Sequence, residues 1–136
     1  MTHNKTIQNT IPLESDEQSW LFQWAQDMAV LKWTELALMY HIPNGGSRNK
    51  VEAARLKAQG VKKGVPDIFL PVARGGYHGL YIEMKRRKGS VVSQEQKEYI
   101  AALIAQGYRV EVCKGFHAAA DVIEEYMGGK KNDKHG

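Results

Sequence analysis

Only one cysteine, Cys113, occurs among the 136 residues, so no disulfide forms within the chain. No cluster of cysteine and histidine has zinc-ligand spacing, which excludes a structural zinc module. Long apolar runs are missing: nothing approaches the ~20 residues of a membrane-spanning helix. The opening MTHNKTIQNT lacks the apolar segment of a secretion signal. These absences lead us to expect a cytoplasmic, intracellular protein with no membrane contact. Internal repeats and domain boundaries are absent too, and the length suits one domain with a single core.

What is present looks globular, with 43% hydrophobic and 25% charged residues. The formal net charge of +4 is modest, but it is unevenly spread. Cations gather at 48–63 (Arg48, Lys50, Arg55, Lys57, Lys62, Lys63) and at 85–88 (Lys85, Arg86, Arg87, Lys88). Such clusters suit a polyanion such as nucleic acid; the plain alternative is two solvated surface segments. Arg48, Lys62, Lys63, Arg86 and Arg87 are candidates for phosphate contacts. Lys130, Lys131 and Lys134 lie in a tail expected to stand outside the fold.

Residues 1–11 read as a flexible lead-in, 12–128 as the folded domain and 129–136 as a flexible tail. Pro12 suits the first turn of a helix, where its missing N–H costs nothing. Trp20, Leu21, Trp24, Ala25, Met28 and Leu31 then recur at helical spacing. A second short helix is expected over Trp33–Met39, then a short strand from Tyr40 ending in a turn at Asn44-Gly45. Ser47–Gln59 reads as a helix with Val51, Ala54 and Ala58 on its apolar face and Gly60 as its stop. Gly64-Val-Pro leads into the strand Asp67-Ile-Phe-Leu, and a hairpin-length turn leads to the strand Leu80–Lys85. A helix capped by Ser93 runs to about Gln106, with Ile100, Leu103 and Ile104 as its stripe. The strand Tyr108–Cys113 follows, where Cys113 is expected to be a buried, inert thiol. A last helix spans Ala118–Met127. This order predicts an α/β fold: a mixed β-sheet flanked by helices.

Alternation along a strand places Glu83 and Lys85 on one face and Ile82 and Met84 on the other. Asp67 opens the preceding strand, and a hairpin would set it beside them. Two carboxylates and one amine then converge at one end of the sheet. That set suits metal-assisted phosphodiester hydrolysis, because Mg²⁺ prefers hard oxygen ligands and keeps several waters. A bound ion can acidify a water, and a neighbouring lysine can offset charge on the phosphate. A surface salt bridge among the same three residues is the bland alternative, since Glu-x-Lys alone is common.

The sequence Gly64-Val-Pro-Asp67, followed after a hairpin by Ile82-Glu83-Met84-Lys85, resembles the PD-(D/E)XK nuclease superfamily. More narrowly it resembles the VRR-NUC group, and particularly its short stand-alone phage and bacterial members. The likeness runs from about Glu14 to Tyr126. It takes in Ile42-Pro-Asn-Gly-Gly, Gly60-Val-Lys-Lys-Gly-Val-Pro-Asp, Ser93 through Gln96 and Gly107-Tyr-Arg-Val. The resemblance implies a restriction-endonuclease-like core in which Asp67 and Glu83 bind Mg²⁺ or Mn²⁺, aided by the backbone carbonyl of Met84. Lys85 would be the catalytic lysine. A glutamate on the first helix would join the metal site, with Gln18 as a supporting residue. Glu14 matches that position, and Glu17 is its substitute. Gln96 matches a further glutamine of the site.

Local readings compete. Ser15-x-x-Gln18 and Ser93-x-x-Gln96 both have the pattern of a helix capping box. If Ser15 is the cap, Glu14 lies outside the helix and Glu17 is better placed. His41, His78 and His117 have no metal-motif spacing and are expected to be structural or solvated. Tyr77 could stack on a base, though a turn tyrosine is the simpler reading. The resemblance implies a DNA nuclease selective for structure, such as four-way (Holliday) junctions or flaps, of the kind used in DNA repair. A homodimer would match the two-fold symmetry of a junction. The alternatives are a nucleic-acid-binding protein of the same fold without catalysis, and a sequence-specific restriction-type endonuclease.

Overall fold

The computed structural model describes residues 10–44 and 49–129. The first helix, α1 (Glu14–Leu31), starts one residue before Ser15 and is N-capped by Leu13, which offers no side-chain cap. The capping box expected of Ser15 and Gln18 therefore does not form; Ser15 lies inside the helix and its carbonyl accepts from the Ser19 hydroxyl. The short helix expected over Trp33–Met39 is a 3-10 turn, Thr34–Leu38.

A four-stranded sheet holds the centre, in the order β1 (Tyr40–His41), β2 (Ile68–Leu70), β3 (Leu80–Lys85), β4 (Arg109–Lys114). β1, β2 and β3 pair antiparallel, whereas β3 and β4 pair parallel. The parallel pair needs a crossover, which α3 (Gln94–Ala105) supplies. The chain closes with α4 (Phe116–Tyr126). No described helix is long and apolar enough to cross a membrane.

The pleat divides the sheet. Leu80, Ile82 and Met84 are wholly buried and pack with Ile68, Leu70 and Cys113 in the core that includes Leu21 and Ala25 of α1 and Ala119, Ala120 and Ile123 of α4. Burial pushes the Cys113 thiol up to about 12, so it stays protonated and inert. On the opposite face Phe69 stacks on Tyr81 at 4.3 Å and Tyr108 meets Tyr81 edge-on at 5.3 Å. Glu83 and Lys85 share that second face, toward α3.

The helix α2 (Lys50–Ala58) departs from expectation. Asn49 caps it, its side-chain oxygen accepting from the Val51 and Glu52 N–H groups at 2.9 and 3.3 Å. Val51, Ala54 and Ala58, the expected apolar face, are exposed, and only Ala53 and Leu56 are half-buried. The end explains the rotation. Gly60 takes φ +101°, and the Val61 N–H donates back to the Leu56 carbonyl at 3.0 Å. This Schellman turn folds Val61 against the Leu56 side of the helix.

Gly64 fixes the loop between α2 and β2 with a φ of +90°. A Cβ there would lie 2.6 Å from the Glu95 carbonyl oxygen, so the loop rests directly on the first turn of α3. Gly64→Ala is therefore expected to lose more than the ~1–2 kcal/mol of a left-handed backbone alone, with overpacking adding roughly 1–3 kcal/mol. Gly89, at φ +82° with open space around it, is the control. Urea denaturation should place Gly64→Ala below Gly89→Ala; equal midpoints would refute the contact.

Candidate active site

The β2–β3 register pairs Ile68 with Ile82, so the next step sets Asp67 opposite Glu83. Both are almost fully buried, at 5% and 2% exposure. Asp67 is held at three points. Its Oδ2 accepts the Met84 N–H at 2.8 Å, and its carbonyl accepts the Ile42 N–H at 2.6 Å. The same carbonyl lies 2.9 Å from His41 Nδ1.

Lys85 and Gln96 complete a triangle with Glu83. The Lys85 ammonium donates to Gln96 Oε1 at 2.9 Å and stands 3.5 Å from Glu83 Oε2. Gln96 Nε2 donates to that Glu83 oxygen at 2.8 Å. Gln96 also accepts from the Ser93 N–H at 2.9 Å, forming the expected capping box of α3. The two readings of Gln96 are thus one conformation: the cap fixes the rotamer that bridges lysine and glutamate.

The structure separates the two first-helix glutamates. Glu17 is engaged at both oxygens. Oε1 accepts from the Phe116 N–H at 2.9 Å, capping α4, and Oε2 accepts from Arg87 at 3.3 Å. It is a structural carboxylate and not a substitute for Glu14. Glu14 feels the charges of Asp67 and Lys85 and lies near the Arg86 backbone, which places it beside the site. Its partner at four residues' spacing, Gln18, instead reaches His41 at 3.0 Å.

The basic candidates divide as well. Arg86 donates to the Pro12 carbonyl at 3.1 Å and to the Ile11 carbonyl at 2.6 Å, so it anchors the chain ahead of α1 and does not face outward for phosphate. Arg87 is tied to Glu17, with half of its side chain exposed. Lys62 and Lys63 are exposed. Arg48 lies outside the described residues. His41 was not singled out from sequence as a neighbour of the site. Only the long-range pairing of β1 with β2 brings it to Asp67, and no local pattern signals that pairing.

Three carboxylates around one lysine repel one another. Burial, then the charge of Asp67, pushes Glu83 up to about 7. Burial raises Asp67 against the opposing Met84 N–H, and burial followed by Asp67 raises Glu14. Glu83 Oε1 is buried without a hydrogen-bond partner, and a proton on Glu83 relieves the strain of a second buried charge beside Asp67. A divalent cation would relieve it at neutral pH. Among the described residues no three His, Cys, Asp or Glu side chains are preassembled as a ligand set. That is compatible with Mg²⁺, which binds through one or two carboxylates and keeps its waters. The orphaned oxygen and the hard donors fit such an ion.

The family model of the VRR-NUC domain matches residues 3–117. A solved structure described as a VRR_NUC domain protein is similar, with a TM-score of 0.74 and 32% sequence identity over 87% of this chain and 90% of that one. No curated protein matches.

The buried pair carries a pH signature. Unfolded, Glu83 loses its proton near 4.5; folded, it keeps it to about 7. Between those values the folded state binds the extra proton, so stability falls as pH rises through the window and levels off above it. Glu83→Gln removes this loss. In EDTA at pH 8 the variant should melt roughly 3–8 °C above wild type, with the gap closing toward pH 4.5. A variant that melts lower at both pH values would show that Glu83 is held by net favourable contacts.

Proposed function

Because the chain belongs to the VRR-NUC family, whose fold is of the nuclease type, we propose that it hydrolyses DNA phosphodiester bonds with Mg²⁺ or Mn²⁺, acting on branched or flapped DNA, as a homodimer where the substrate is two-fold symmetric. The observation that carries this reading is the buried Asp67–Glu83 pair, with an unpartnered oxygen, beside a lysine locked by Gln96. A surface salt bridge would leave its carboxylates in water and its lysine free.

Asp67 and Glu83 would hold the ion, with Glu14 and the Met84 carbonyl completing the oxygen set. When bound, the ion lowers the pKa of a water and offsets charge on the scissile phosphate. The residues of the chain supply position. The Met84 N–H holds one Asp67 oxygen, which leaves the other for the ion. Gln96 keeps the Lys85 ammonium beside Glu83. There Lys85 orients the attacking water and stabilises charge growing on the phosphate oxygens. The water gives up a proton to solvent as its oxygen bonds to phosphorus in line; the opposite P–O ester bond breaks, and the leaving oxygen takes up a proton from solvent.

The decisive experiment is cleavage of labelled duplex, single-stranded, flap and four-way-junction DNA with Mg²⁺, Mn²⁺ or EDTA. Wild type should cut with either ion and not in EDTA. Lys85→Ala should lose roughly 100-fold or more of the rate while remaining folded. Tight, salt-sensitive binding with no cleavage under any ion would sink the enzyme and leave a binding protein of the same fold. Cutting confined to particular duplex sequences would point to a restriction-type enzyme instead.

A further inference from the structure

Every second residue of a strand faces the same way, and the sheet register lines up a row of rings on the face that carries the carboxylates. Tyr40 pairs with Phe69, and Phe69 with Tyr81. Phe69 stacks on Tyr81 at 4.3 Å, and Tyr40 meets Phe69 edge-on at 5.9 Å. Tyr108 closes the row against Tyr81 at 5.3 Å. Two residues further along β2 and β3 on this face stand Asp67 and Glu83. Two residues of strand span about 7 Å, so rings and carboxylates form adjoining rows of one surface.

These rings are not core. The core lies on the other face, under Leu80, Ile82 and Met84. Phe69, Tyr81 and Tyr108 keep part of their surface in water, and Tyr40, on the edge strand β1, is 50% exposed. The helix α3 packs on this side against β4 and buries none of its own residues, so it does not seal the row. Nor are the hydroxyls spent. That of Tyr126, on the core side, donates to the Val72 carbonyl. Those of Tyr40, Tyr81 and Tyr108 have no such partner among the described residues.

The chemistry of the row selects what lies on it. It carries no charge, so it gains nothing from a phosphate. A strand whose scissile phosphate sits at Asp67 and Glu83 brings a neutral part of itself to the rings, about two nucleotides away at ~3.4 Å each. That part is a base or a sugar. A paired base reaches a protein surface only by leaving the stack, which is costly. The deoxyribose already lies on the outside of the duplex, and contacts to it fix a protein's register on DNA. We propose that the row Tyr40–Phe69–Tyr81 seats a deoxyribose of the strand being cut, with the exposed Tyr40 ring setting how that strand lies over the carboxylates. The inference rests on the nuclease reading for the place of the phosphate, and the contact needs no unpaired nucleotide.

Fluorescence anisotropy in EDTA, with a labelled blunt duplex, measures this contact without cleavage. Tyr40→Ala should weaken binding about three- to tenfold, the scale of one aromatic contact. Its salt slope should match wild type, because no phosphate contact is lost. Tyr40→Phe keeps the ring and should bind within about twofold of wild type. Duplexes carrying the fluorescent base aminopurine at successive positions should stay dim on binding, since no base leaves the stack. A folded Tyr40→Ala protein with wild-type affinity would overturn the proposal, as would a wild type that binds no duplex. A loss in Tyr40→Phe as large as in Tyr40→Ala would assign the contact to the hydroxyl and overturn it too. A salt slope lowered by about one would put a phosphate at Tyr40. Aminopurine that brightens with wild type and not with Tyr40→Ala would put a base there; either result sinks the sugar seat. Should Tyr40→Ala unfold, Tyr40→Leu, which still covers Phe69, decides by the same readings. A chain that loses affinity through Tyr40 but cuts nothing would keep the sugar seat and lose the nuclease.

Discussion

Asp67 and Glu83 stand opposite one another in the sheet, each almost wholly withdrawn from water. Like charges so placed are mutually unfavourable, and the surrounding structure is arranged to hold them there. On the far face of β3, Leu80, Ile82 and Met84 have no exposed surface. The strand therefore cannot twist to release Glu83 without dismantling the core. On the near face, Gln96 and Lys85 offset part of the charge on one Glu83 oxygen and leave the other unpartnered. The carboxylates would be more comfortable in solvent. Keeping them buried favours any positive charge brought up beside them.

Several residues serve two elements at once. Gln96 caps α3 and bridges Lys85 to Glu83. Glu17 on α1 caps α4 through the Phe116 N–H, tying together two helices on the same side of the sheet. Gly115 makes that approach possible: a Cβ there would meet Arg87 Cγ at 2.8 Å and Glu17 Oε1 at 3.0 Å. Arg86, next to Lys85, holds the carbonyls of Ile11 and Pro12 and so sets where α1 begins. That start makes Glu14 the first helical residue, and its charge reaches Asp67. The α1 carboxylate nearest the buried pair is thus placed from the end of β3.

What was legible in the sequence follows from the range of the interactions involved. The alternation in β3 is local, so the facing of Glu83 and Lys85 could be read directly, and the hairpin to Asp67 followed. The Ser93 cap is local and formed as expected. The Ser15 pattern is just as local, yet it was overruled by Arg86, more than seventy residues away in sequence. The roles of Glu17 and His41 depend on α4 and on the β1–β2 pairing, neither of which leaves a mark beside those residues. The apolar face of α2 was misread because periodicity assumes a core to face. With little core beside it, the helix is oriented by its C-terminal turn at Gly60 and Val61.

The concentration of charge on α2 bears on how a carboxylate-rich site could meet a polyanion at all. Asp67, Glu83 and Glu14 repel phosphate before any ion is bound. Residues 50–63 carry a net +4, as much as the whole chain, so that segment is the strongest source of attraction. Attraction and chemistry are thereby separated. The lysines lie in water, where salt screens them within ~10 Å at 0.1 M, whereas Asp67 and Glu83 are buried, Lys85 and Glu14 are half-buried beside them, and all are screened less. Rising salt should weaken capture of DNA while leaving the rate of the bound complex largely intact. A site that used the same residues for both tasks could not divide its salt dependence in that way.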